Sequence, residues 1–249
     1  MASKLEQIEK YTIPKENRGQ CAIINITVFQ NKKYNRNSES DTQEAERAFK
    51  SLRLRTTIAE KKAATCDDVK EYLEGVRNEI TDKDSMFAAC IMSHGRRGEI
   101  MVSDMNCMKI QDIIDMFRDN NCEKLKGKPR LFFIQACQVE TSHSQEKGMP
   151  LYWDYDIKLP SNFLVSFAVA PGFVAYRQIR DGDPTSQYYS LYIKALVKVF
   201  TNRGGHDVDI RELNAKVASE VAAEEIKPEG EDVKQMPCVI SSLTKSLHL

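Results

Sequence analysis

Two stretches of this chain, Met86–Met92 and residues 131–134, are continuously apolar over lengths that are short for a helix. Such runs read as strands buried on both faces, and strands of that kind belong to parallel sheets covered on each side by helices. Residues 21–29, rich in β-branched side chains, predict a third buried strand. Between the strands the apolar spacing changes to a helical one. Asp41 is placed to cap a helix through Ala45, Ala48, Phe49 and Leu52. Residues 53–59 read as another strand, and Thr65 or Cys66 opens a helix through Val69, Tyr72, Leu73 and Val76. A short strand at 99–103 follows a Gly98 turn, Ile110, Ile113, Ile114 and Phe117 mark a third helix, and 131–136 forms the next long strand. Strands alternating with helices imply right-handed crossovers. The predicted fold is therefore α/β, a mostly parallel central sheet with helices on both faces.

Residues 139–161 turn polar, with Ser142, Ser144, Gly148, Pro150 and Pro160, and read as an exposed linker. After it the pattern predicts a strand at 163–169, helices at 188–200 and 209–221, and a last strand at 237–243. Residues 1–18 read as a short leader, so the expected divisions are 1–18, 19–138, 139–161 and 162–249 within one domain.

Charge and cysteines narrow the function. Lys+Arg and Asp+Glu are both 36, which argues against a strongly basic nucleic-acid binder. No apolar run approaches the roughly 18 residues of a membrane span, and the first six residues lack the apolar core of a signal peptide. Seven cysteines, an odd number, with no secretory signal predict reduced thiols in a cytoplasmic setting. None are spaced Cys-x-x-Cys and no histidine joins them at zinc-finger spacing, so no metal or other cofactor is expected. Asn25-Ile26-Thr27 matches a glycosylation sequon inside an apolar run and is discounted.

In a parallel sheet the functional crevice lies at the carboxyl ends of the strands. Ser93-His94-Gly95 ends the Met86–Met92 run, and Gln135-Ala136-Cys137 ends the 131–134 run. A cysteine and a histidine at adjacent strand ends suit nucleophilic attack on a carbonyl, the imidazole taking the thiol proton. Gly95 allows backbone N–H groups close to a developing oxyanion. His143, His206 and His248 lack a buried strand before them and a glycine after them.

These segments together resemble the caspase family, whose signature is Gln-Ala-Cys-[Arg/Gln/Gly]-Gly with an upstream histidine. The resemblance also covers Pro171-Gly172-Phe173-Val174-Ala175-Tyr176-Arg177 and residues 235–245, and spans about 19–249. It implies a caspase-like three-layer sandwich and an aspartate-directed endopeptidase of apoptosis, with Cys137 as nucleophile and His94 as base. It implies an oxyanion hole at the N–H groups of Gly95 and Cys137. Arg36, Gln135 and Arg177 would grip the substrate carboxylate, beside an apolar subsite of Phe173 and Tyr176. Maturation would follow cleavage after Asp154 or Asp156. Protein substrates with exposed aspartates and a homodimer or heterodimer through the C-terminal strand are the implied partners. A catalytically weak regulator that dimerises with an active relative is the alternative. Gln138 stands where the family more often has arginine, and Val139 where it has glycine. That glycine predicts a backbone shape that valine resists, with looser loops around the site.

Overall fold

The computed structural model describes residues 8–139, 157–179, 188–226 and 232–249. In chain order the strands and helices are β1 (Gly19–Asn25), α1 (Glu39–Ser51), β2 (Arg55–Ile58), α2 (Cys66–Glu79) and β3 (Met86–Met92). Next come β4 (Gly95–Arg96), β5 (Glu99–Met101), β6 (Cys107–Lys109), α3 (Ile110–Asp115) and β7 (Arg130–Gln135). The chain closes with β8 (Phe163–Phe167), β9 (Arg177–Ile179), β10 (Tyr188–Ser190), α4 (Leu191–Thr201), α5 (Ile210–Ala223) and β11 (Cys238–Ser241).

A six-stranded sheet in the order β11-β8-β7-β3-β1-β2 forms the centre. Every pairing from β8 to β2 is parallel, and β11 alone runs antiparallel, at the edge beside β8. The period-two geometry of strands divides their side chains between two cores. Cys21, Ile23, Ala88, Cys90, Leu131 and Phe133 face the core shared with α1, α4 and α5. Their neighbours Ala22, Ile24, Ala89, Ile91, Phe132 and Ile134 face the core shared with α2 and α3. Both faces of β3 and β7 are thus covered, which is why their sequences are apolar without alternation.

The structure differs from the sequence reading at several ends. Residues 188–190 are not helical: they form β10 against β9, and α4 begins at Leu191. The paired strand β1 stops at Asn25, whose side chain turns to bond Ser38 O and Thr42 Oγ1. Asp41 does not cap α1; the helix starts at Glu39, and the Asp41 carboxylate instead binds Ser190. By contrast, Thr65 caps α2 in a full capping box with Asp68. Ile157, inside the stretch expected to be an exposed linker, is buried among apolar side chains, and Lys158 is bonded through its backbone to Gln111. Asp154 and Asp156 lie outside the described residues. Residues 9–11 run beside 244–246 through backbone bonds between Tyr11 and Ser246 and between Ser246 and Glu9. Among the described residues no helix is long and apolar enough to cross a membrane.

Candidate active site

The register of the central strands builds the site. Met92 of β3 pairs with Gln135 of β7, and Ser93 N donates to Gln135 O. His94 and Cys137 therefore leave the sheet level with each other, each two residues beyond the last paired position. The antiparallel β4-β5-β6 ribbon starts immediately, with Gly95 opposite Ile100. A Cβ at residue 95 would stand 2.6 Å from Glu99 O, 2.9 Å from Ala136 Cβ and 3.1 Å from Cys137 O. Only glycine lets this turn come so close to the backbone around Cys137.

The His94 ring packs at 5.2 Å from the Phe29 ring and edge-on at 5.7 Å to Tyr34. Its Nε2 lies 2.8 Å from Tyr34 O. A carbonyl can only accept, so Nε2 carries the proton and donates it, leaving Nδ1 as the basic atom of the neutral ring. Burial pushes the imidazole down to about 4, and the fields of Arg36 and Arg177 act in the same direction against the Tyr34 carbonyl. His94 is therefore neutral at pH 7, the form a general base requires. Cys137 Sγ sits 4.0 Å from Ala175 O, and among the described residues no hydrogen bond joins it to His94.

Arg36, 4% exposed, donates from Nη1 to Asn25 Oδ1 and Ile26 O, both at 2.9 Å. Burial first and the like charge of Arg177 second push its guanidinium down to about 9, while Asp41 and Cys137 act to raise it. Arg36, Arg177, Asp41 and Cys137 are thus electrostatic neighbours. Gln135 is buried, and its Oε1 has no hydrogen-bond partner among the described residues. Tyr176 N donates to Gln235 Oε1, and its side chain is half-buried. Phe173 is 60% exposed and makes an open surface rather than a packed wall.

Sequence reasoning did not foresee the parts that Tyr34, Asn25 and Gln138 play. Tyr34 acts through its carbonyl, which carries no side-chain signal. Asn25, set aside as a sequon, joins Arg36 to the start of α1. Gln138 is buried: its Oε1 accepts from Gly98 N, its Nε2 donates to Cys137 O, and its backbone bonds Phe173 O and Gly172 N. The loops around the cysteine are therefore stitched together at this position, contrary to the expected loosening. Val139 does not adopt a positive φ and accepts a bond from Arg97 N, so the expected valine strain is absent.

The chain is similar to known proteins over most of its length. The sequence profile of the caspase domain matches residues 18–248. Caspase-3 of Mus musculus is 27% identical over 238 residues, covering 92% of this chain and 83% of its own. Caspase-14 of Homo sapiens is 29% identical over 222 residues, covering 85% and 87%. The crystal structure of caspase-1 from Spodoptera frugiperda superposes with a TM-score of 0.78 at 24% identity, over 99% of this chain and 95% of that one.

Proposed function

The chain belongs to the caspase family of cysteine peptidases, and on that premise we propose that it is an endopeptidase cleaving proteins after aspartate. The observation that carries this reading is the pair of buried Arg36 and half-buried Arg177, electrostatically coupled to each other and, through Arg36, to Cys137. Two guanidinium groups beside a thiol at strand ends suit a substrate carboxylate held next to its own scissile carbonyl. Gln135 would complete the pocket.

In this reading the Cys137 thiol gives its proton to His94 as sulfur attacks the carbonyl carbon. The oxyanion rests on the N–H groups of Gly95 and Cys137. His94 returns the proton to the leaving amine, and water, deprotonated by His94, then releases the acyl group from sulfur. The family resemblance supports a role in apoptosis, maturation by cleavage between the two halves, and a cytoplasmic setting. The outer edge of β11, with exposed Val239 in the strand and exposed Met236 just before it, supports pairing with a second caspase chain.

The test is turnover of fluorogenic peptides ending in aspartate, with Cys137→Ala as control. Activity lost in the control upholds the reading. One observation favours a second reading: His94 and Cys137 are not hydrogen-bonded to each other. A purified chain that is inactive alone and at high concentration, yet changes the rate of an active caspase, is the regulator of that reading.

A further inference from the structure

Asp41 is a buried carboxylate to which the proposed chemistry gives no part. It is 1% exposed. Its Oδ1 accepts from Ser190 N at 3.0 Å and its Oδ2 from Ser190 Oγ at 2.5 Å. Those two bonds join residues 149 positions apart, linking the first turn of α1 to the end of β10. Ser190 in turn is the residue paired directly with Arg177 across the β9–β10 ladder. On its other side, α1 is joined to Arg36 by the Asn25 amide, which donates to Ser38 O and Thr42 Oγ1 and accepts from Arg36. The start of α1 thus reaches the Arg36 side chain through Asn25 and, through Ser190, the strand position paired with Arg177.

We propose that Asp41 is a positioning residue of the substrate-carboxylate pocket, fixing Arg177 through Ser190 and so setting how deep a side chain the pocket reads. The inference rests on the aspartate-directed reading above. Two geometric facts favour it over simple helix capping. The carboxylate has turned away from the free N–H groups of its own helix, where an acidic side chain is stabilised at little cost. It accepts both polar hydrogens of the one residue opposite Arg177. Its charge also serves the pocket: the guanidinium groups of buried Arg36 and half-buried Arg177 repel, and Asp41 lies within reach of both. Aspartate and glutamate differ by one methylene, so a pocket tells them apart only if its cations are held at a fixed depth. Discrimination by one methylene is worth about 10–200-fold, the range a loosened cation would forfeit.

The test compares the full chain with its Asp41→Asn and Ser190→Ala variants on matched peptides ending in aspartate or glutamate. Asparagine keeps the shape and an acceptor but loses the charge, and Ser190→Ala keeps the backbone bond but deletes the hydroxyl one. Both variants are expected to lower the aspartate-to-glutamate ratio of kcat/KM by about 10-fold. The aspartate peptide's KM rises while its kcat stays within about twofold, as expected for lost ground-state positioning. A thermal melt establishes that each variant is folded, and if Asp41→Asn does not fold, Ser190→Ala decides alone. Folded variants that keep the wild-type ratio, or lose rate equally on both peptides, overturn the inference. Failure of both to fold assigns the pair to stability and overturns it too. A wild-type chain that cleaves neither peptide removes the aspartate-directed reading itself, and this inference with it.

Discussion

Arg36 and His94 are electrostatic neighbours held by opposite means. Arg36 is fully sunk, with a side-chain and a backbone acceptor on one nitrogen and a like charge nearby. His94 is half-buried and held by one carbonyl and two ring contacts. Among the described residues, the Cys137 sulfur has only a long contact, to Ala175 O. The pocket side is over-determined by elements from both halves of the chain, whereas the dyad side is held in place but not joined. In the proposed reading, specificity would be built into the fold while the reacting pair aligns only with a substrate, as is common for catalytic hydrogen bonds without ligand.

The hardest blow to the pocket side is Arg36→Ala. In the proposed reading it removes one of two carboxylate-binding cations, and it strands Asn25 Oδ1 and Ile26 O in the interior. The loss of a buried polar contact to substrate predicts a fall in kcat/KM on the order of 10³-fold or more. The unpaired acceptors cost about 1–3 kcal/mol each in stability. Arg36→Lys should restore little, because a single ammonium cannot reproduce the guanidinium fork. Kinetics with aspartate peptides and a denaturant melt measure both effects; a variant cleaving at the wild-type rate would remove Arg36 from the pocket.

On the dyad side the matching experiment is Gly95→Ala. The new methyl meets Glu99 O, Ala136 Cβ and Cys137 O, none of which is the free end of a flexible side chain. Relief requires the β4 turn and the cysteine loop to separate. A displacement near 1 Å at reacting groups costs about 100-fold in rate, and overpacking costs about 1–3 kcal/mol. Measured kcat and melting midpoints check this; an unchanged kcat would mean that the close approach serves packing alone.

Much of this contrast was legible in the residues, and the division follows physical lines. The strands holding Met86–Met92 and 131–134 announced themselves because burial on both faces leaves those runs without polar side chains. His94 and Cys137 followed, since a parallel sheet presents its carboxyl ends. The β10 strand was read as part of a helix because three residues, Tyr188–Ser190, carry too little pattern to oppose the strong helical spacing after them. Asp41 was read as a cap because its local context favours one, and only a serine 149 residues away overrides that preference. Tyr34 acts through its backbone, which no side-chain pattern reveals.

Gln138 sharpens the comparison with a smaller expected effect. It lies on the dyad side yet is bonded as fully as the pocket. Gln138→Ala frees Gly98 N–H and Cys137 O from their side-chain partners. The expected cost is about 1–3 kcal/mol of stability and about 10-fold in kcat through the shifted cysteine. Hydrogen exchange at Gly98 together with kcat checks it; an unprotected Gly98 with unchanged kcat would separate loop order from catalysis.

The smallest effect is one of pH. An imidazole held down to about 4 by burial stays neutral through the range where an ordinary one, near 6.5, gains its proton. In the active reading, the acid limb of kcat/KM therefore falls below pH 6.5. The same sign holds for stability: the contribution of a neutral buried His94 is present above about 6.5 and is lost as pH falls toward 4. Tyr34→Ala keeps the carbonyl that binds Nε2 but removes the ring edge that shields it, and Tyr34 is exposed enough for the change to cost little in packing. Better solvation of the imidazolium raises the His94 pKa, so the acid limb moves up, by a few tenths to about one unit. Near pH 8 the ring is neutral in both proteins and their rates should agree, with a gap opening only in acid. If the variant is slower at every pH by the same factor, Tyr34 orients the imidazole without tuning its charge.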